Sequence, residues 1–196
     1  EEVYYNLGDL HRGWNSAITG LVSNPDSIVV KSNLELTAVF YSETSTWDKT
    51  YPIVKDAFGN ETYNFGGDGT ENNPYLIYDA QDLAALAALS FGQDYGSGKH
   101  YKLMANIDLS CGGWLPICNI SSTSGGWQGG DIGEVEYWKA FEGTFDGNYK
   151  TITYGESSAK SCFGLFIGLR NAQVKNLTFD GSVSGKNYTS AVTVLI

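Results

Sequence analysis

The chain has 196 residues, with 12 Lys and Arg against 22 Asp and Glu, which gives a formal net charge of −10 at pH 7. Nucleic acids and anionic membranes attract dense cationic surfaces, so this charge makes both of them poor partners. Apolar residues make up 42% of the chain and charged residues 17%, which excludes a disordered chain and predicts one or two folded domains. No apolar run is long enough to cross a bilayer, so direct membrane insertion is not expected, and the first residues lack the features of a signal peptide.

Residues 1–45 are predicted to form a small β-rich segment. Apolar and polar residues alternate over 34–40, which is typical of a half-buried strand. Three motifs resemble the second half of the internalin-B-type β-grasp repeat of large bacterial surface proteins: Gly13-Trp14-Asn15, Ser23-Asn24-Pro25 and Leu36-Thr37-Ala38-Val39-Phe40. The resemblance implies a partial repeat, whose first half has either diverged or lies upstream of this sequence.

Residues 46–66 are interpreted as an extended connector, which could add one strand through Tyr51, Ile53 and Val54. Residues 66–74 then concentrate Gly, Asp, Asn and Pro, the residue types that favour tight turns. This turn marks the start of a second domain, which we place at 67–196.

A helix is predicted near 80–91, at the start of the second domain. Asp79 is placed to cap it, Asp82 lies in its first turn, and Gly92 follows it. Both sides of this Ala- and Leu-rich segment are nearly apolar, which indicates a helix packed against other elements.

After the helix, strand-like runs alternate with glycine-containing turns. Apolar and polar residues alternate over 101–109, and the triplet Phe145-Asp146-Gly147 recurs as Phe179-Asp180-Gly181. A loose repeat of this kind predicts a solenoid in which each turn of chain packs on its neighbours. Bulky residues are expected at its inward positions, namely Tyr101, Phe145, Phe166, Leu177 and Phe179.

The order of motifs from Gly67 to Gly185 resembles a second family, the bacterial surface proteins with GLUG repeats. The motifs are the Gly-Asp-Gly-Thr entry at 67–70, the helix, the Tyr-Lys-Leu-Met-Ala-Asn-Ile-Asp-Leu strand at 101–109, Trp114-Leu115-Pro116-Ile117, the Phe-Glu-Gly-Thr-Phe-Asp-Gly-Asn segment at 141–148, and Gly164-Leu165-Phe166-Ile167-Gly168 ahead of Val174-Lys175-Asn176-Leu177. The resemblance implies an all-β fold: a right-handed parallel β-helix with a capping helix at its amino end. It also implies an adhesive role, because the family is mostly described as adhesive or of unassigned function.

The chain departs from the family pattern in two places. A long insertion between Ile117 and Phe141 carries Trp127, Tyr137 and Trp138, whose rings could either pack on the solenoid or stack on a ligand. The apolar run 191–196 would leave an unpaired strand edge, which predicts truncation or self-association with another chain.

Catalytic patterns are weak in this sequence. His11 and His100 have no local signature of a nucleophilic triad. Paired carboxylates for work on sugars could come from the insertion region (Asp131, Glu134, Glu136 and Glu142) or from Asp108 and Asp146 on successive turns of the solenoid. β-helical polysaccharide lyases combine calcium-binding carboxylates with a basic residue as proton acceptor, whereas this chain has only two arginines, Arg12 and Arg170, and no ladder of Asp residues accompanies Arg170 in the sequence.

No cofactor or metal ion is expected. The turn at 68–72 lacks the spaced carboxylates of a calcium loop, and it fits no phosphate-binding fingerprint. Cys111, Cys118 and Cys162 fit no zinc spacing and are interpreted as free thiols, although Cys111 and Cys118 could close a small loop.

The sequence therefore predicts a non-catalytic protein, exported to the surface of a bacterium, that binds an extracellular glycan or a surface protein of another cell. The ligand-binding residues predicted are Trp127, Tyr137 and Trp138. Two alternatives remain open, a polysaccharide-processing lyase or hydrolase and a purely structural spacer.

Overall fold

A computed structural model provides the structure of the protein and describes residues 11–16, 20–22, 36–40, 43–118, 139–159, 164–185 and 191–195. The chain divides into two compact units, Glu1–Glu43 and Thr44–Ile196. Within the described ranges, no helix is long and apolar enough to cross a membrane.

The first unit contains an antiparallel sheet of short strands. They are β1 (His11–Ser16), β2 (Gly20–Val22) and β3 (Leu36–Phe40), in the order β2-β1-β3. Trp14 lies opposite Val22 on one side and Ala38 on the other. The strand predicted from the alternation over 34–40 is thus confirmed at Leu36–Phe40.

The second unit is built on a curled sheet in which every pair of neighbouring strands is parallel. Its strands are β4 (Thr44–Thr46), β5 (Tyr75–Ile77), β6 (His100–Leu103), β7 (Asn106–Leu109), β8 (Thr144–Ala159) and β10 (Gln173–Gly185). The order is β4-β7-β8-β6-β5, and β10 pairs with β8 on its other edge. Because β6 pairs with the first part of β8 and β7 with a later part, the sheet bends between them.

A second line of parallel pairing involves the segments that follow these strands. The strands β9 (Phe166–Gly168) and β11 (Thr193–Leu195) form a parallel pair. Single parallel bridges join Ile117 to Phe166, Tyr95 to Phe141, and Phe141 to Leu169. The described residues are therefore mostly strand, with one helix, which is compatible with the predicted all-β class.

The single helix of the described ranges, α1 (Ala80–Leu89), begins where the sequence predicts and ends two residues earlier than the predicted limit at 91. The Asp79 carboxylate caps it by accepting a hydrogen bond from the Asp82 N–H at 2.8 Å. Eight of its ten residues are buried, so the prediction of a packed helix is confirmed.

The core lies between the concave face of the sheet, α1 and the β9 segment. Alternate residues of the sheet point into it, including Tyr101, Leu103, Ile107, Phe145 and Ile152, each at most 1% exposed. Among the predicted inward residues, Phe166 is also buried, while Leu177 and Phe179 on β10 are only partly buried.

Residues 46–66 belong to the second unit and contribute Trp47 and Phe65 to its core, where these side chains are 2% and 3% exposed. Tyr51, Ile53 and Val54 form no strand there; the segment contributes one antiparallel bridge, between Lys55 and Glu61. The predicted turn at 66–74 closes on itself, because the N–H groups of Asp68 and Gly69 both donate to the Asn73 carbonyl at 3.0 Å.

Candidate binding face

The aromatic residues predicted to bind a ligand, Trp127, Tyr137 and Trp138, lie outside the residues that the structure describes, as do Asp131, Glu134 and Glu136. Their role stays a prediction. The candidate site that the structure does describe is the outer face of the curled sheet, where the side chains between the inward positions are arranged in rows across neighbouring strands.

The first row contains charges of alternating sign. The strand register places Asp146 of β8 beside Lys102 of β6 on one side and Lys175 of β10 on the other. Neighbouring strands lie about 4.8 Å apart, so the row has the order positive, negative, positive at that interval. All three side chains are partly or fully exposed.

Asp146 is held in place by its neighbours in this row. Its Oδ1 accepts hydrogen bonds from the Asn148 N–H at 2.9 Å and from the Asn176 side-chain amide at 3.0 Å. The Lys175 ammonium lies 3.8 Å from Oδ2. Lys102 has no ion pair among the described residues, so it offers a free cationic group at the side of Asp146.

A second row on the same sheet, beyond the bend, is made of hydroxyls and carboxylates. The register aligns Thr46, Asp108, Thr153 and Asp180 across four strands. Asp108 accepts a hydrogen bond from the Ser110 N–H at 2.8 Å, and the hydrogen bonding of Ser110 holds the pKa of Asp108 below its ordinary value. These oxygens are suited to hydrogen bonding with the hydroxyls of a sugar.

A cluster of Asp94, Glu142 and Arg170 lies beside the bridges that join Tyr95, Phe141 and Leu169. The Arg170 Nη2 atom lies 3.0 Å from the Asp94 Oδ2 atom and also contacts the Glu142 carboxylate, to which the Arg170 Nε donates at 2.7 Å. Arg170 thus has two acidic partners in the structure, although no ladder of Asp residues accompanies it in the sequence. Both partners come from distant points in the sequence, and parallel pairing brings them together.

The cluster keeps its charges. Burial acts to raise the pKa of Asp94, but the hydrogen bond from the Ala140 N–H and the Arg170 guanidinium outweigh it, and the pKa lies below its ordinary value. The two carboxylates also raise the pKa of Arg170. A general acid for glycoside cleavage needs a raised pKa, so Asp94 is suited to holding Arg170 rather than to donating a proton.

The carboxylates of Asp108 and Asp146 do not form the pair considered from sequence. Asp146 lies beside Lys102, before the bend in β8, whereas Asp108 lies beside Thr153, after it. Within the described ranges, no three or more His, Cys, Asp or Glu side chains come together in a way that could hold a metal ion.

Neither of the described cysteines is in a disulfide. Cys111 and Cys118 are free thiols, and burial raises the pKa of Cys118 to about 12, so it stays protonated. This confirms the prediction of free thiols for these two residues; Cys162 lies outside the described residues.

Sequence reasoning did not select Lys102 and Lys175. Each follows a residue that points into the core, Tyr101 and Val174, just as Asp146 follows Phe145. Aligning the pairs Tyr101-Lys102, Phe145-Asp146 and Val174-Lys175 with one another would have placed the three charged residues in one column.

Comparisons of the chain with protein-family models, with curated proteins and with solved structures find no match.

Proposed function

We propose that this chain is a non-catalytic, ligand-binding module of a bacterial surface protein, exported from the cell, and that it binds an extracellular glycan or a surface protein of another cell. Its fold in this proposal is a right-handed parallel β-helix of the GLUG-repeat type, with α1 covering the amino end, preceded by part of a β-grasp repeat.

Two lines of parallel pairing support the β-helix. In the first line, β6 and β7 pair with β8, and β8 pairs with β10. In the second line, Ile117 pairs with Phe166, and β9 pairs with β11. In a solenoid of strands, the chain returns after each circuit and pairs in parallel with the circuit before it.

The observation that carries the binding proposal is the row formed by Lys102, Asp146 and Lys175. Ammonium groups donate and carboxylates accept hydrogen bonds, so one row can contact both kinds of oxygen on a glycan, or oppositely charged groups on a protein. The strand register fixes the backbone positions of the three residues in this exposed row. The rings of Trp127, Tyr137 and Trp138 would add stacking surface.

A glycan and surface-protein array tests this proposal. We expect the parent chain to give a specific signal that falls at least about tenfold in a Lys102→Ala/Lys175→Ala variant, because an interfacial charge contact contributes more than about 1 kcal/mol. A Lys49→Ala/Lys55→Ala variant makes the same change in net charge at exposed positions outside the row, and should bind like the parent. A Trp127→Ala/Trp138→Ala variant tests the stacking surface separately.

The outcomes separate the alternatives. Equal signals from the row variant and the parent would remove the row as the site. A blank array with the parent chain would favour the spacer. Release of reducing ends or unsaturated sugars from a polysaccharide, abolished by Glu142→Gln, would favour the enzyme, although the Arg170 guanidinium occupies the Glu142 carboxylate.

The edge of β10 supports one further part of the proposal. Among the described strands β10 pairs only with β8, and its inward residues Val174, Leu177 and Phe179 are only partly buried. We propose that a further turn of chain, or a strand from another chain, pairs with this edge.

A further inference from the structure

The outer face of the curled sheet carries a different charge before and after the bend in β8. Before the bend, alternate residues of β6, β8 and β10 lie on this face, and the strand register aligns them in two neighbouring rows of three. These six partly or fully exposed positions, which we call the basic patch, are His100, Thr144 and Gln173 in one row and Lys102, Asp146 and Lys175 in the other. The patch therefore contains two lysines and one carboxylate, although the whole chain has a net charge of −10.

Beyond the bend, the same face is acidic. The row of Thr46, Asp108, Thr153 and Asp180 contains two carboxylates and no basic residue. An acidic ligand is thus attracted to the basic patch and repelled from the row beyond the bend. This distribution of charge favours a ligand that lies across β6, β8 and β10 over one that follows β8.

The carboxylate of Asp146 is compensated by its own neighbours. Its Oδ1 atom accepts two hydrogen bonds, and its Oδ2 atom lies 3.8 Å from the Lys175 ammonium. The Lys175 side chain is still 44% exposed. Lys102 has no ion pair among the described residues, so its charge is available to a ligand. The two lysines can therefore each contact an anionic group.

The two lysines are separated by two strand spacings. Neighbouring strands lie about 4.8 Å apart, so the Cα atoms of Lys102 and Lys175 are about 9.6 Å apart. An extended polysaccharide with one acidic group in each disaccharide presents its charges at a similar interval, with hydroxyl groups between them. Such hydroxyls can donate to the Asp146 carboxylate and can exchange hydrogen bonds with Thr144 and Gln173 in the neighbouring row.

We propose, building on the proposed function, that the ligand of the basic patch is an acidic polysaccharide. Its carboxylate or sulfate groups pair with Lys102 and Lys175, and its hydroxyls contact Asp146 between them. A neutral glycan would leave the Lys102 ammonium without an ionic partner. An acidic polypeptide would supply the charges, but not the hydroxyls that suit the polar side chains between and beside the lysines.

Calorimetric titration of the full chain with hyaluronan oligosaccharides tests the proposal, because hyaluronan has one carboxylate in each disaccharide. We expect binding that weakens as the salt concentration rises, and an affinity at least about tenfold lower for carboxyl-reduced hyaluronan oligosaccharides. Chondroitin sulfate oligosaccharides carry sulfate groups as well, and their affinity shows which acidic group is preferred. Polyglutamate supplies the charge without the sugar and should bind more weakly than either.

Variants of the patch should change the affinity in opposite directions. Lys102→Gln/Lys175→Gln should weaken binding at least about tenfold, whereas Lys102→Arg/Lys175→Arg keeps both charges and should restore most of the affinity. Asp146→Asn should tighten binding, because it removes the negative charge of the patch and keeps an acceptor oxygen. Lys49→Gln/Lys55→Gln is the control for net charge and should bind like the parent. Thermal unfolding checks that every variant is folded.

The outcomes distinguish this proposal from the proposed function. Weaker binding by Asp146→Asn, or equal affinities for polyglutamate and the acidic polysaccharides, overturns the proposal. Failure of both acidic polysaccharides to bind also overturns it. If an array signal from a neutral glycan or a protein then still depends on Lys102 and Lys175, the proposed function stands without an acidic ligand. A blank with every probe removes both.

Discussion

Two aspartates three residues apart at the start of α1 have different roles, although both are acidic. Asp79 is the N-cap, as the sequence predicts. Asp82 is fully buried, and its carboxylate accepts hydrogen bonds from the Tyr63 hydroxyl at 2.9 Å and from the Tyr78 N–H at 2.8 Å. Asp82 therefore connects the helix to the segment before it.

Asp82→Ala should destabilise the protein by about 2–4 kcal/mol, because it removes the carboxylate that accepts from the buried Tyr78 N–H and from the partly buried Tyr63 hydroxyl. Asp79→Ala should cost about 1 kcal/mol, the usual value for loss of an N-cap. Asp82→Asn keeps one acceptor oxygen and should fall between them. Urea unfolding followed by circular dichroism measures all three, and equal losses for Asp79→Ala and Asp82→Ala would contradict the assigned roles.

The role of a residue could be predicted from the sequence only where its hydrogen-bonding partner lies close to it in the chain. The capping role of Asp79 follows from residues within one helical turn, so the sequence contained all the information. Asp82 pairs with Tyr63, 19 residues away, and Arg170 pairs with Glu142, 28 residues away. No spacing rule predicts such contacts, because they depend on how successive strands stack.

Among the elements, β8 comes very close at Gly155 to Ser110, the residue that follows β7. A Cβ added at this glycine would lie 2.1 Å from the carbonyl oxygen of Ser110. This oxygen belongs to the main chain, so it cannot move away by a change of side-chain rotamer. The glycine is thus needed for space, since β7 ends at Leu109 and the following turn passes directly over β8.

Gly155→Ala should therefore destabilise the second unit by about 1–3 kcal/mol, the usual cost of crowding a packed site. Gly112→Ala is a useful comparison, because it has open space around it and only a positive φ of 71°. Its cost should be about 1–2 kcal/mol, from backbone strain alone. Crystal structures of the two variants would distinguish the causes: a shift of the 110–112 turn away from β8 is expected only in Gly155→Ala.

The elements also differ in how well the sequence predicts them. Alternation identified the strand at 36–40, and composition identified α1. The alternating run 101–109 predicts one strand, but the structure divides it into β6 and β7, which pair with different parts of β8. The segment 46–66 has no regular alternation, so its sequence predicts a connector, whereas in the structure its Trp47 and Phe65 side chains are buried. Their burial depends on aromatic contacts with distant residues, such as Trp47 with Trp114 at 5.2 Å and Phe65 with Tyr101 at 6.0 Å between ring centroids.

At the scale of the whole molecule, stability should fall in acid. The pKa values of Asp94 and Asp108 lie below their ordinary values in the folded chain, so the unfolded chain binds more protons near pH 4. The stabilisation from these carboxylates is fully present above the unfolded pKa of about 3.9 and is lost as the pH falls through their folded values. Between pH 5 and pH 3 we therefore expect the melting temperature to decrease steadily.

Calorimetry at constant ionic strength checks this expectation, with Asp94→Asn and Asp108→Asn as the variants that matter. Each variant should have a lower melting temperature than the parent at pH 6. Because an amide does not titrate, the difference between its melting temperatures at pH 5 and at pH 3 should also be smaller than that of the parent. Glu71→Gln is the control, since it removes an exposed carboxylate that makes no ion pair with a described residue. A melting temperature that rises toward pH 3 would instead mean that relief of the net charge of −10 outweighs the paired carboxylates.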